Sequence, residues 1–165
     1  MTIKSPEQKY QFNQETKRLE PLGTLCQFCE TDHSTKMDEN YFVTLYREKD
    51  RTNVIVYRSV KFSAIPVGIP RCEKCMVIHE TASLKGNALG WVLAIGFVVL
   101  IFSLFGLWGF LGIIAGIVLG VVGSNYLEKK FVHQKRIYTC KEAVMQNEAV
   151  QDLVLGGWSL NRPMA

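Results

Sequence analysis

The sequence predicts an α+β membrane protein that combines a small antiparallel β domain, a two-helix transmembrane hairpin and a C-terminal helical tail. Three observations carry this prediction. Residues 86–127 contain no charged side chain. Two Cys-x-x-Cys pairs precede this run, one at Cys26 and Cys29 and the other at Cys72 and Cys75. The 42 residues between the two pairs include two stretches rich in the aromatic and β-branched residues typical of strands.

The uncharged run is too long for a single transmembrane helix. One helix of 42 residues would measure about 60 Å, which is about twice the thickness of the hydrocarbon core. We therefore predict two spans, at about residues 88–105 and 107–124, with a break near Gly106 and Gly109 because glycine weakens a helix. A chain of 165 residues has too little protein to cover such a hairpin, so lipid is its predicted surrounding.

Aromatic and basic residues border the run and predict its orientation. Aromatic side chains, which favour membrane–water interfaces, mark its start, turn and end: Trp91, Trp108 and Tyr126. Basic side chains flank both ends of the run, and these are Lys85, Lys129, Lys130, Lys135 and Arg136. By the positive-inside rule we expect an integral membrane protein with two spans and both termini cytoplasmic, in the cell membrane or a bacterial inner membrane. The polar N terminus predicts no cleavable signal peptide.

Two polar segments lie at the ends of the chain. Within residues 1–24 a Ser-Pro-x-Gln order matches a capped helix start and predicts a helix from Ser5 to about Leu19. Disorder is the alternative, because the apolar face of this helix is thin. Residues 128–165 are predicted to form a cytoplasmic helical tail. Its last helix should end at Leu155, before two glycines.

Residues 25–85 are the predicted cytoplasmic β domain. Residues 41–47 and 53–62 have strand character, and the second stretch alternates apolar and polar side chains. The short charged segment 48–52 between them is predicted to be the tip of a β-hairpin.

The cysteine pairs are the strongest chemical signal in the sequence. In a reducing cytoplasm, paired Cys-x-x-Cys motifs indicate a metal site before a disulfide. Two such pairs supply tetrahedral sulfur ligation, which suits Zn²⁺. We therefore expect one structural zinc per chain, bound by Cys26, Cys29, Cys72 and Cys75, since a domain this small has little core and metal ligation would stabilise it.

This arrangement resembles the zinc-ribbon superfamily, in which antiparallel strands separate two Cys-x-x-Cys knuckles. The resemblance covers residues 26–75 and implies the four cysteines as ligands, without implying an activity. Many ribbons have a glycine beside or between the cysteines, and this chain has none there. An iron site or a redox dithiol is the alternative, although the proline and glycine residues characteristic of rubredoxin-like sites are also missing around the second pair.

Two histidines accompany the pairs at the same spacing. His33 and His79 each stand four residues after the second cysteine of a pair. One of them could replace a thiolate as a ligand. The interpretation we favour is that both support the ligands or lie on the surface, because four thiolates already close a tetrahedral site.

Small residues recur at every fourth position in both predicted spans. They are Gly86, Gly90 and Ala94 in the first span and Gly112, Gly116, Gly120 and Ser124 in the second. Small residues at this spacing let helix backbones approach closely in lipid. The stripes therefore pack the two spans against each other or mediate a homo-oligomer.

Charge and motifs restrict the function. Residues 1–85 carry 13 basic and 11 acidic side chains, and residues 128–165 carry 6 and 4, so neither part has the basic excess of a nucleic-acid-binding domain. The sequence has no phosphate-binding glycine loop, nucleophile elbow or zinc-protease motif, so we expect no enzymatic activity. We predict a membrane-anchored binding or scaffold module whose partners are the bilayer and an unidentified protein. The alternatives are an oligomeric membrane effector or small channel controlled by the β domain, and a redox or iron protein.

Overall fold

The computed structural model describes residues 9–54 and 57–164, and the chain divides into two compact units. The first, here called the sheet unit, comprises Met1–Glu73 and Cys140–Ala165. The second, here called the hairpin unit, comprises Lys74–Thr139. The architecture is mixed α+β, with one small sheet and four α-helices among the described residues.

The sheet has four strands, and it is mixed rather than purely antiparallel. The strands are β1 (Tyr10–Asn13), β2 (Arg18–Pro21), β3 (Tyr41–Val54) and β4 (Tyr57–Ile69). Their order is β1-β2-β4-β3. The pairs β1–β2 and β3–β4 are antiparallel, whereas β2 runs parallel to β4 through the pair Leu19 and Val67. The apolar side chains Phe28, Leu45, Val67 and Ile69 are fully buried in this unit.

The predicted N-terminal helix is wrong for the described part of residues 5–19, because a β-hairpin lies there; residues 5–8 are outside the described part. The Asn13 side chain closes the turn by accepting hydrogen bonds from the backbone N–H groups of Glu15 (3.0 Å) and Thr16 (3.2 Å). Lys17 then takes a left-handed conformation with φ 50°. Local turn chemistry and pairing with β4 thus outweigh a weak helix-start signal.

The β3–β4 hairpin is longer than predicted. The charged segment 48–52 is part of β3, and the connection between the strands falls at residues 55–56, which lie outside the described part. A register shift between Glu48 and Asp50 accommodates the charged stretch, and Arg51 donates to Glu48 over 2.8 and 2.9 Å. The side chains of residues 47–52 are exposed, so their charges cost no burial and the strand continues through them.

The hairpin unit consists of α1 (Glu73–Phe105), a 3₁₀ turn (Gly106–Gly109) and α2 (Phe110–Gln134), where α1 includes one residue of the sheet unit. The turn coincides with the predicted break, and Gly106 has a φ of 55°, which glycine adopts without strain. Both helices extend beyond the spans predicted from hydropathy. Residues 73–85 contain no proline or glycine, so the helix does not end where the apolar run begins.

The two helices contact each other through their small residues. A Cβ atom added to Gly86 would lie 2.9 Å from the backbone N of Glu128, and one on Gly90 would lie 2.8 Å from the backbone N of Ser124. Further along, a Cβ on Gly112 would lie 2.7 Å from Cγ2 of Ile101. The stripes therefore pack α1 against α2 within one chain.

The outer surface of the hairpin unit is apolar. Its exposed large side chains include Val92, Leu93, Ile95, Val99, Leu104, Ile114, Val118 and Val122. Leu93 and Ile114 each retain 66% of their accessible surface. Within the described part of the chain, α1 is the one helix that is long and apolar enough to cross a membrane.

The C-terminal segment has two short helices, α3 (Cys140–Gln146) and α4 (Glu148–Leu155). The α4 helix ends at the predicted residue, and the N–H of Trp158 donates back to the carbonyl of Leu153 over 3.0 Å. Ser159 then pairs with Tyr46 at the outer edge of β3 through two backbone hydrogen bonds, of 2.8 and 2.7 Å. The tail is thus part of the sheet unit.

Candidate metal centre

The first cysteine pair lies in a tight turn that its own backbone holds together. The N–H of Cys26 donates to the carbonyl of Asp32 (2.8 Å), and the N–H of Glu30 donates to the carbonyl of Cys26 (2.9 Å). Glu30 has a φ of 57°. It occupies the left-handed position that glycine often fills. The missing glycine therefore does not prevent the turn from forming.

The second pair lies at the start of a helix rather than in a turn between strands. Cys72 immediately precedes α1, and Cys75 lies in its first turn. Residues three apart on a helix start lie on one side, so the backbone brings both sulfur atoms to the same place. This differs from the predicted ribbon, in which both pairs would be turns in a β structure.

The four cysteine sulfurs converge on one point. All four Sγ atoms lie within 4.8 Å of one another, and the Sγ atoms of Cys29 and Cys72 are 3.9 Å apart. Cys26, Cys72 and Cys75 are buried, and Cys29 is partly exposed. In a zinc–sulfur tetrahedron with bonds of about 2.3 Å, neighbouring sulfurs are about 3.8 Å apart. The spacing and the donor set fit one tetrahedral metal ion, and zinc is compatible with both.

The local hydrogen bonds of Cys29 favour its thiolate form. Burial raises the pKa of the Cys29 thiol, but hydrogen bonds from the side chain and backbone of Thr31 and from the backbone of Asp32 outweigh it and leave the pKa below its usual value. A thiolate is the form that binds a metal. This turn is therefore suited to a ligand role.

The histidines lie outside the cysteine cluster. His33 is exposed, and its Nδ1 lies 3.4 Å from the hydroxyl of Thr24. His79 is buried in the hairpin unit, where its Nε2 lies 3.0 Å from the carbonyl oxygen of Tyr138. Neither belongs to the group of side chains that could share a metal ion.

The predicted packing and interface residues are placed as follows. Gly90, Ala94, Gly112, Gly116, Gly120 and Ser124 are all buried in the helix contact. A Cβ on Gly120 would lie 3.1 Å from the ring of Trp91, which is 44% exposed, and Tyr126 is 66% exposed. The side chain of Trp108 lies outside the described part.

The turn formed by residues 26–32 is here called the metal turn. Sequence reasoning missed two residues that connect this turn to the C-terminal segment. Gln27 lies between Cys26 and Cys29, and its side chain donates to the carbonyl of Ala143 (3.2 Å). Asn147, at the start of α4, donates to Gln27 Oε1 over 2.8 Å. The position of Asn147 before a helix predicts a capping role from sequence alone. Its contact with a residue 120 positions away has no local signal.

Comparison of the chain with protein-family models, with curated proteins and with solved structures gave no match. The likeness to a zinc ribbon therefore rests on cysteine spacing and on the convergence of the four sulfurs. The class that fold and site define is a mixed α+β protein with four cysteines close enough together to bind a metal and a helix apolar enough to cross a membrane.

Proposed function

We propose that this protein is a membrane-anchored, zinc-stabilised binding module. The observation that carries the proposal is the cluster of four cysteine sulfurs within 4.8 Å of one another. Four thiolates leave no open coordination position, which suits a structural rather than a catalytic metal. When bound, zinc would supply a cross-link between distant parts of the chain, and the protein itself would carry out no chemistry.

The membrane part of the proposal is that α1 and α2 both cross the bilayer and leave both termini in the cytoplasm. Two features support it: the exposed apolar surface of the hairpin unit and the basic residues next to both ends of the uncharged run. Backbone hydrogen bonds inside each helix satisfy the main requirement of a lipid environment. The sheet unit would then present its surface to a cytoplasmic protein partner.

The small-residue stripes support the anchor more than the channel alternative. Gly90, Gly116 and Gly120 face side chains or backbone of the same hairpin. That face is occupied inside one chain, so the stripes do not call for a second copy. The proposed module therefore needs no oligomer to fold.

Metal analysis of the purified full-length protein tests the first half of the proposal. We expect one zinc per chain and no visible absorption. Coloured protein containing iron would support the alternative metal, and a metal-free protein with oxidised cysteines would support a redox role. Either result would reject the zinc module.

Protease protection tests the second half. Short tags are placed before Met1 and after Ala165, and intact cells are treated with an external protease. We expect both tags to survive until the membrane is permeabilised. Cleavage of one tag would indicate an odd number of spans, and cleavage of both would reverse the orientation.

A further inference from the structure

The metal turn is tied to the rest of the sheet unit through Gln27. Its backbone N–H donates to the carbonyl of Pro70 (3.0 Å), just before the second cysteine pair. Its side chain donates to Ala143 in α3 and accepts from Asn147 at the start of α4. One residue inside the turn thus contacts three separate segments.

The side chain of Asn147 makes three hydrogen bonds in this arrangement. Its Oδ1 accepts from the N–H of Val150 (3.1 Å) and so caps α4. Its Nδ2 donates to the hydroxyl of Tyr10 (2.7 Å) and to Oε1 of Gln27 (2.8 Å). Since the cap requires the oxygen to face α4, the amide group has one orientation that satisfies all three contacts. The side chain is almost fully buried, with 5% of its surface exposed.

The partners of Asn147 are themselves restrained. Burial raises the pKa of the Tyr10 phenol, although the hydrogen bond from Asn147 acts in the opposite direction, so the neutral hydroxyl is maintained at physiological pH. An ion pair between Lys9 and Glu148 joins the residues next to this network. The network therefore spans β1, the metal turn and the start of α4.

We propose that Asn147 is a positioning residue for the metal centre and couples metal binding to the docking of the C-terminal segment 140–164 onto the sheet. The inference rests on the proposed zinc site. Groups that hydrogen-bond directly to metal ligands typically change metal affinity by about 10–100-fold. Asn147 acts one residue further out, through Gln27, so we expect the lower end of that range. Because coupling is reciprocal, the metal strengthens C-terminal docking by the same factor by which docking strengthens metal binding.

The variant Asn147→Asp separates the two roles of the side chain. A carboxylate still accepts from the N–H of Val150 and caps α4, since Asp is as good a cap as Asn. It cannot donate to Gln27 or Tyr10, and it places an oxygen against Oε1 of Gln27. Asn161→Asp makes the same chemical change at an exposed position in the tail and is the matched control.

The experiment uses full-length protein in detergent and measures zinc affinity by competition with a chelator. For Asn147→Asp we expect zinc affinity to fall by about tenfold. We also expect zinc to change hydrogen exchange of the α4 amides less in this variant than in wild-type protein, because the coupling contact is lost. For Asn161→Asp we expect wild-type affinity. In wild-type protein, removal of zinc should accelerate exchange in residues 148–155, as reciprocal coupling requires.

Gln27→Met provides a second route to the same answer if Asn147→Asp does not fold. It keeps the turn backbone and removes the acceptor of Asn147, so it should also lower zinc affinity, and in a double variant the two losses should not add. Wild-type affinity in the folded variants would overturn the coupling while leaving the zinc module intact. Wild-type protein that binds no zinc would overturn the proposed function and this inference together.

Discussion

The sheet unit and the hairpin unit are stabilised by opposite means. The sheet unit depends on a few directional contacts between residues far apart in sequence, such as the approach of Cys29 to Cys72 and the Asn147 network. Each of these contacts requires particular atoms at particular distances, so one substitution can remove it.

The hairpin unit depends on close helix packing at positions that have no side chain. Gly86, Gly90 and Gly120 allow the two helices to approach closely. Its exterior carries apolar side chains that suit lipid better than water. The sheet unit should therefore be destabilised by substitutions that remove a ligand or a hydrogen-bonding group. The hairpin unit should be destabilised by substitutions that add a side chain at a glycine.

The largest effect should follow from removing one sulfur. Cys26→Ser should abolish zinc binding and unfold the sheet unit, because structural zinc contributes about 10–16 kcal/mol in small zinc-binding peptides, comparable to the whole stability of a small domain. Metal analysis would show the loss of zinc, and limited proteolysis would show the unfolding of the sheet unit. Circular dichroism should show that the helices of the hairpin unit are still formed.

Cys140→Ser is the matched control for that experiment. Cys140 begins α3 and lies outside the four-sulfur cluster, so its variant should keep the metal and resist protease. A Cys26→Ser protein with full metal content and unchanged protease resistance would contradict the role given to the cluster.

An intermediate effect should follow from adding one methyl group to the helix contact. Gly90→Ala places a Cβ 2.8 Å from the backbone N and 2.9 Å from Cα of Ser124, and neither atom can rotate away. The helices must separate, at a cost of about 1–2 kcal/mol by analogy with other helix contacts in membranes. The loss of stability can be measured by titrating the protein with SDS in mixed micelles while the distance between the two helices is monitored.

Gly96→Ala is the control on the same helix. A Cβ at Gly96 meets nothing within 4 Å, so the change should be neutral or stabilise the helix by up to about 1 kcal/mol. Equal losses for the two variants would show that the close approach at Gly90 does not govern the stability of the hairpin.

Gly116→Leu sharpens the distinction between hairpin packing and self-association. Its added side chain meets Val98 of the same chain. We expect the hairpin to loosen equally at every protein concentration, whereas Val118→Leu, at a position that is 55% exposed, should have little effect. If crosslinking instead shows that Gly116→Leu lowers the population of an oligomer, and that this effect depends on protein dilution, the stripe lies between two copies of the chain.

The smallest effect concerns a carboxylate of the sheet unit and depends on pH. Hydrogen bonds from the backbone of Thr35 and Lys36 and from the Thr35 hydroxyl hold the pKa of Glu39 below its usual value. A lowered folded-state pKa stabilises the fold above the ordinary glutamate pKa of about 4.3 and loses that contribution as pH falls through the folded value.

Glu39→Gln should therefore unfold at a lower urea concentration than wild type at pH 7, and the two should converge in acid. Both proteins keep the same four cysteines, so acid release of the metal affects them equally. Glu15→Gln, at an exposed carboxylate, should match wild type throughout. A difference between Glu39→Gln and wild type that persists unchanged at low pH would exclude the ionised carboxylate as its cause.

Three features of the molecule could be predicted from the sequence because local signals determine them. The apolar helix and its break follow from hydropathy and from Gly106 and Gly109. Each cysteine pair follows from its spacing, since its own turn or helix start brings its two cysteines together. The end of α4 before Gly156 is also encoded locally. In each case the interacting groups lie within a few residues of one another.

The remaining features were decided by tertiary structure. Residues 10–13 and 18–21 form strands because they pair with each other and β2 pairs with β4, and β3 continues through its charged segment because its pairing with β4 extends to Val54 and Tyr57. The two cysteine pairs, in which Cys29 and Cys72 are 43 positions apart, likewise meet only in the fold. Pairing between distant segments carries no local signal, and it overrides weak propensities. The same holds for the glycine stripes, whose spacing predicts close approach but not the identity of the helix that approaches. The contact between Asn147 and Gln27 also could not be predicted, because these residues are 120 positions apart and only the tertiary structure brings them together.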